Sequence, residues 1–543
     1  MMAGSKLYSQ PGIDWTARFN GLIDSTDVAR DIVVDNSGNT YVTGYSSQLL
    51  GLFTSIITIS YDSNGNQRWL SIYDQPLFDE GNAIALDNTG QYVYVTGFSF
   101  GLLTLADYVL IKMDASTGNI IWSQRYDSGL LGDDRAVDVI VDYQNNPVIT
   151  GYSYGGLLSE ADFYTIKYGE NGNLLWGRRY NNPAGKEDIA YALASDNGGN
   201  IYVSGYSNAG LLLANDNYTT LKYDPAGNQQ WVASYNGPGN NQDRAYAIVV
   251  DNSGNPIVTG SSRSGSTEST EDYATVKYDP NGNQQWVSRY NGPGNNQDRA
   301  YAIVVDNSGN TYVTGESMGN GSDMDYSTVK YNQAGSQQWA SRYNGPGNNQ
   351  DRAYAIVVDN SGNSYVTGSS RSGSTQSTED YATVKYDPSG AEEWRIRYDG
   401  SGGNEDRAYA IVVDNSNNVY VTGQSRNGAL LGSEDYLTIK YNDGNKVIGI
   451  ISNEIPMENK LSVNYPNPFN PSTNIRFDLS ESKTVSLVVY DINGHKVESL
   501  VQGKLNAGSY EIKWNASKHP SGVYFYRINA GHYSETKKMI LIK

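Results

Sequence analysis

The chain has 543 residues, a formal net charge of −19, 58 glycines, 45 tyrosines and no cysteine, which excludes disulfides, thiolate zinc sites and cysteine nucleophiles. Its three histidines, His495, His519 and His532, lie near the C-terminus, so the first 494 residues hold no imidazole for acid–base or metal chemistry. No run of 18 apolar residues excludes a transmembrane helix, and so acidic a chain repels nucleic acid and anionic lipid.

Residues 1–13 read as an N-terminal tail. They lack the apolar stretch of a signal peptide, which leaves a mature-form chain or a misassigned start as the expectation if the protein is exported. From residue 14 to 441 the chain is periodic. Trp15, Trp69, Trp122, Trp176, Trp231, Trp286, Trp339 and Trp394 stand 53 to 55 residues apart, and a period of that size signals a repeat architecture. One unit runs from Trp286 through Asp298–Asp306 and Thr311–Gly315 to Asp325–Tyr331. Its four short segments are rich in Val, Ile, Thr and Tyr and are punctuated by Gly, Asn and Asp, which predicts four antiparallel strands. Four strands per unit make a propeller blade. Eight Tyr-Val-Thr-Gly-like segments, at 41–44, 94–97, 148–151, 202–205, 257–260, 312–315, 365–368 and 420–423, predict eight blades. The phase of the repeat predicts that Trp15–Phe19 supplies the missing outer strand of the last blade, beside Thr438–Tyr441, and closes the ring.

An aromatic residue follows each Trp by four, as in Trp122/Tyr126, and shares its strand face, so the pair is expected to pack on the neighbouring blade. The Asp-x-x-Gly-Asn stretches, such as Asp306–Asn310 and Asp279–Asn283, suit tight turns with Gly at φ > 0. These turns share one face, and the long connections and variable loops share the other, where binding residues are expected. Three stretches, 235–255, 290–310 and 343–363, are identical, which suits a scaffold or repeated binding surface better than an active site. The units resemble bacterial β-propeller repeats with a Tyr-Val-Thr-Gly signature, found in secreted proteins.

Two sets of binding residues follow. The first is an Asp-Arg pair that opens five of the first strands: Asp134/Arg135, Asp243/Arg244, Asp298/Arg299, Asp351/Arg352 and Asp406/Arg407. Such a ring around the channel could bind a glycan or peptide, or serve only as an ion-pair network between blades. The second is an arc of leucine-bearing loops, Leu49-Leu50, Leu102-Leu103, Leu157-Leu158, Leu211-Leu212 and Leu430-Leu431, because exposed apolar arcs mark contact surfaces. Gly-x-Ser-x-Gly at 97–101 and 151–155 runs from strand into loop with no histidine to serve it, so it reads as structure. The same holds for Ser327-x-x-Lys330, and for Asp114–Gly118 before Trp122, which resembles the blade-packing Trp-docking motif of quinoprotein propellers. No cofactor or metal is expected. Calcium is the one ion the Asp/Asn/Gly loops leave open, at about one carboxylate per turn against the six to eight oxygens it needs.

Residues 442–460 read as a linker and 461–543 as a small β-sandwich. Alternation in Tyr510, Ile512 and Trp514 buries one strand face, and Asn493-Gly494 marks a hairpin. This segment carries +4 (ten Lys+Arg, six Asp+Glu), leaving −23 for residues 1–460. It resembles the type A C-terminal sorting domain of the type IX secretion system of Bacteroidetes-like bacteria. The carrying residues are Tyr465, Pro466, Asn467, Pro468 and Phe469, then Val488–Asp491, Gly522 with Tyr524, and the ending Lys537, Lys538 to Lys543. The resemblance implies export by the type IX machinery, to release or to the outer-membrane surface.

The expected protein is thus all-β: an eight-bladed propeller of four-stranded blades followed by a β-sandwich. Its expected role is that of a secreted or cell-surface, monomeric, non-enzymatic binding or adhesion scaffold for an unknown glycan or protein ligand. The alternative is a carbohydrate-active hydrolase or lyase working through two carboxylates on the long-loop face.

Overall fold

The computed structural model describes residues 7–8, 12–21, 25–48, 53–101, 104–129, 132–155, 160–210, 215–267, 270–373, 379–400, 404–426, 434–442, 447–452, 456–505, 507–516 and 519–543. They form two compact units, Trp15–Lys440 and a second made of Met1–Asp14 with Tyr441–Lys543.

Among the described residues, the first unit holds eight four-stranded antiparallel sheets. Blade one is Asp27–Val34, Thr40–Gln48, Phe53–Tyr61 and Gln67–Tyr73, and the pattern repeats. In the eighth sheet the order is Ile13–Phe19, Glu434–Tyr441, Val419–Arg426, Asp406–Val413, so the N-terminal strand closes the ring. A Tyr436 hydroxyl donating to Ile57 O (3.3 Å) joins blade eight to blade one.

First strands of successive blades pack on one another and wall the channel. Each carries a bulge at the same place, for example between Ala245 and Ala247 and between Ala300 and Ala302. The bulge explains the glycine of Tyr-Val-Thr-Gly. A Cβ at Gly260 would lie 2.0 Å from Arg244 O, and one at Gly315 1.9 Å from Arg299 O. Only a residue without a side chain lets the bulged strand approach.

The tryptophans join blades. The indole N–H of Trp176 donates to Pro225 O (3.2 Å), that of Trp231 to Pro280 O (3.0 Å) and that of Trp339 to Pro388 O (3.1 Å), always in a turn of the next blade. A positive-φ glycine of that turn lies on the ring: a Cβ at Gly227 (φ +82) would sit 2.7 Å from Trp176. Trp122 and Tyr126 pack with Val141, Ile149 and Tyr168 of the following blade. The Asp that opens each turn is spent on it. Asp224 accepts from Ala226 N (3.0 Å), Asn228 N (2.8 Å) and Asn228 Nδ2 (2.9 Å), which holds its carboxyl below the usual range.

In the second unit a five-stranded sheet (Leu7–Tyr8, Val447–Ser452, Gly508–Asn515, Ser472–Leu479, Lys460–Leu461) and a four-stranded sheet (Lys496–Leu505, Lys483–Tyr490, Gly522–Ala530, Tyr533–Leu541) share one core. Ile475, Phe477, Ile512 and Trp514 from the first meet Leu487, Val489, Tyr526 and Met539 from the second. Two details differ from the sequence reading. The stretch read as a linker carries the strand Val447–Ser452, and the tail carries Leu7–Tyr8, which pairs with it. The run Val-Ile-Gly-Ile-Ile has strand propensity but is too short to show a period.

The glycine–indole joint gives a direct test. Gly227→Ala combines a left-handed backbone penalty of about 1–2 kcal/mol with overpacking of about 1–3 kcal/mol. Gly90→Ala, at φ +71 with nothing within 4 Å, carries the backbone penalty alone. Urea denaturation should therefore show a clearly larger loss for Gly227→Ala; equal losses would mean that the ring contact is not tight.

Candidate functional site

The Asp-Arg pair divides on folding. Asp134, Asp243, Asp298, Asp351 and Asp406 are fully buried. Each pins the connection from the preceding blade: Asp243 accepts from Gly237 N (2.6 Å), Asp298 from Gly292 N (2.7 Å), Asp351 from Gly345 N (2.6 Å) and Asp134 from Ser128 N (2.7 Å). Burial pushes the carboxyls of Asp298, Asp351 and Asp406 up to about 6. These aspartates hold loops and are out of a ligand's reach.

The arginines stay partly open at the channel, and each reaches back to the preceding blade. Arg135 lies over the Phe98 ring (4.5 Å) and Arg244 over the Tyr206 ring (4.7 Å). Arg244 also pairs with Asp216 (2.7 Å), Arg299 with Glu271 (2.7 Å), Arg352 with Glu316 (2.7 Å), and Arg407 with Glu379 and Glu405. Four of these arginines, Arg244, Arg299, Arg352 and Arg407, thus make ion pairs between blades, while the aspartates, among the described residues, do not.

One strand position decides what each arginine meets. It is the residue after Tyr-Val-Thr-Gly, the cross-strand partner of its own blade's arginine position, as in Arg244↔Ser261 and Arg299↔Glu316. In blades one to four it is aromatic: Tyr45, Phe98, Tyr152, Tyr206. In blades five to eight it is Ser261, Glu316, Ser369 and Gln424. Where Phe98, Tyr206 or Glu316 stands, the arginine of the next blade packs on it. Ser261 fills nothing, and a cavity of about 340 Å³ opens between blades five and six.

Its lining is Arg244, Arg263 and Arg299, Tyr246 and Tyr301, Glu271, Gln242 and Ser261, all able to hydrogen-bond. Tyr246 and Tyr301 are the bulge residues of their strands, and the bulge turns them toward the channel. They belong to an arc of five, Tyr191, Tyr246, Tyr301, Tyr354 and Tyr409, with successive ring centroids 5.5 to 6.2 Å apart. Arg30 caps the arc, 5.5 Å from Tyr409.

The charged groups of the cavity form a linked network. Arg244 pairs with Asp216, Arg263 (3.0 Å) and Arg299 (2.7 Å) both pair with Glu271, and Arg299 also lies 3.8 Å from Glu316. The same residue types recur between blades seven and eight around Ser369, where Glu405, standing where blade six has Gln297, adds a second carboxylate for Arg407 (2.9 Å). The leucine pairs Leu49-Leu50, Leu102-Leu103, Leu157-Leu158, Leu211-Leu212 and Leu430-Leu431 all lie outside the described residues. Ser99 and Ser153 of the two Gly-x-Ser-x-Gly stretches lie within strands, where their hydroxyls accept from Arg125 (3.0 Å) and Arg179 (2.6 Å).

The sorting-motif residues come together in the second unit. Phe469 is buried against Trp514 (5.5 Å), and its backbone pairs with the last strand: Phe469 N to Ile540 O and Ile542 N to Phe469 O, both 3.0 Å. The Asn467 side chain accepts from Ile540 N (3.0 Å). The Tyr524 hydroxyl donates to Pro520 O (2.7 Å), and Lys537 pairs with Glu535 (2.8 Å). Tyr465, Pro466, Pro468, Lys538 and Lys543 are exposed, and Gly522 is half-buried.

Three family models match the chain: secretion system C-terminal sorting domain over residues 463–543, outer membrane protein assembly factor BamB over 29–269, and β-propeller repeat over 285–321 and 338–373. A curated relative, an uncharacterized WD repeat-containing protein of Acanthamoeba polyphaga mimivirus, is 30% identical over 112 residues, 18% of this chain, and the match spans 8% of that relative's length. Among solved structures, PorZ, a surface component of the type IX secretion system of Porphyromonas gingivalis, matches at 14% identity and a TM-score of 0.39, covering 94% of this chain and 74% of PorZ. The β-propeller domain of the Trilobed protease from Pyrococcus furiosus matches at 9% identity and a TM-score of 0.36, covering 68% of this chain and 92% of that one. The chain is a β-propeller repeat protein that ends in a secretion system C-terminal sorting domain, and it is a secreted protein, of the cell surface or beyond it.

Proposed function

We propose that this protein is a monomeric, non-enzymatic binding propeller, exported by the type IX machinery through residues 461–543, that takes an anionic ligand into the cavity between blades five and six. The observation that carries this reading is the cavity beside Ser261, lined by three arginines and one carboxylate. In a chain of net charge −19 such a site is a local exception, and it sits where one residue makes one blade junction differ from its neighbours. Arginine pairs and tyrosine faces suit recognition of carboxylated or similarly charged groups.

The enzymatic alternative draws less support. Glycoside chemistry needs a carboxyl that donates a proton and a second carboxylate. Glu271 is the only carboxylate lining the cavity among the described residues, and Arg263, Arg299 and the Gln297 amide (3.1 Å) all donate to it. With its oxygens taken by three donors and no second carboxylate in the lining, the two-carboxylate arrangement is not met there.

Two experiments test the two halves. In a glycan-array and titration screen of the full chain, bound ligands should be anionic, and Arg299→Ala should weaken them tenfold or more, about 1.4 kcal/mol. Lys186→Ala, on an exposed pair with Glu160, should change nothing. Turnover of a bound ligand, or binding indifferent to Arg299→Ala, would contradict the proposal. In the native host, deleting residues 520–543 removes the strand that Phe469 pairs with and should trap the protein in the periplasm; unchanged surface display or release would refute the export half.

A further inference from the structure

The propeller contains its own demonstration of what the cavity accepts. In blade six the position of Ser261 is occupied by Glu316, which is 1% exposed. Its carboxylate accepts from the Tyr301 hydroxyl (2.7 Å) and from Arg352 Nε (2.7 Å), with Arg299 at 3.8 Å. The grip is made of a bulge tyrosine of the same blade and the first-strand arginine of the next. Blade eight keeps the tyrosine half of it, where the Tyr409 hydroxyl donates to Gln424 Oε1 (3.1 Å).

Blade five has the same tyrosine and arginine, Tyr246 and Arg299, but Ser261 is too short to reach either role. Glu271, from a different strand, takes Arg299 Nε (2.7 Å), the atom that Arg352 gives to Glu316, and shares itself with Arg263. The place between Tyr246 and Arg299 that corresponds to the Glu316 carboxylate is part of the cavity.

We propose that this place receives the carboxylate of an acidic sugar, a uronate unit of a polysaccharide, which substitutes for the missing Glu316-type side chain. The inference rests on the binding reading above and names its ligand class. The carboxylate follows from the geometry of Glu316. The sugar follows from the rest of the lining: every side chain is a hydrogen-bonding group, none is aliphatic, and two of them are tyrosines. A peptide acid would bring methylenes that find no apolar wall. At about 340 Å³ the cavity is at the small end of ligand pockets, a volume for one sugar unit of a longer chain running along the tyrosine arc.

The test exchanges the two blades. Calorimetric titration of the full chain would use oligogalacturonate, its fully methyl-esterified form and oligoglutamate. The unmodified protein should bind oligogalacturonate at one site and the methyl ester at least tenfold more weakly. Ser261→Glu, which copies blade six, should abolish that binding, and Ser261→Gln, which copies blade eight, should weaken it at least tenfold. Glu316→Ser should open a second site and raise the stoichiometry from one to two. Unchanged thermal midpoints certify folding, and the glutamine variant serves if the glutamate variant does not fold. Equal affinity for the methyl ester, or binding unaffected by both Ser261 variants, would overturn the carboxylate assignment. Tighter binding of oligoglutamate would overturn the sugar assignment. In each case, loss of the bound anion in Arg299→Ala would leave the broader binding proposal standing, whereas no anion binding by the unmodified protein would end both.

Discussion

The propeller depends on one joint repeated around the ring: an indole N–H donating to a turn carbonyl of the next blade, under a glycine that has no side chain to lift the turn away. A four-stranded sheet of this length has two faces to cover and too little apolar residue to do it alone. The tryptophan covers one face while its polar edge is satisfied across the joint, so burial and hydrogen bonding act in the same direction. Truncating a buried tryptophan typically costs about 3–5 kcal/mol, and here each loss would fall on two blades. The lysine of the third strand reinforces the same contact: Lys167 and Lys222 donate to the carbonyls that also receive Trp176 and Trp231.

With the joints fixed, the inner strands have little freedom. Each bulge carbonyl occupies the space of a missing Cβ, each bulge residue faces the channel, and each first-strand arginine faces the preceding blade. The consequence is five comparable slots, each defined by one arginine and the residue after Tyr-Val-Thr-Gly in the preceding blade. Aromatic rings occupy two of them (Phe98, Tyr206), a carboxylate one (Glu316) and serines the last two (Ser261, Ser369). Function can then be written by changing a single residue per blade without disturbing the scaffold.

Much of this was legible in the sequence. The tryptophan period, the four segments per unit and the spare N-terminal strand led to eight blades and their closure, because repetition converts weak strand signals into a strong one. The Tyr465–Phe469 stretch and the basic C-terminal ending pointed to the sorting domain. The site was less legible. Asp298 and Arg299 looked like one functional pair because they are adjacent, but neighbouring strand residues face opposite ways, so one is buried and the other lines the channel. Ser261 carries no signal of its own, although the series Tyr45, Phe98, Tyr152, Tyr206, Ser261, Glu316, Ser369, Gln424 is readable from the repeats. What the sequence could not show is that this position meets the arginine of the following blade, since that contact arises only when the ring closes.

The central claim is that the slot beside Ser261 is an empty copy of the slot that Glu316 fills. A crystal structure of the full chain with a uronate oligosaccharide tests it most directly. The account predicts a carboxylate within hydrogen-bond distance of Tyr246 Oη and Arg299, superposing on the Glu316 carboxylate when blade five is laid on blade six. A uronate bound elsewhere on the propeller, with that slot left to solvent, would contradict it.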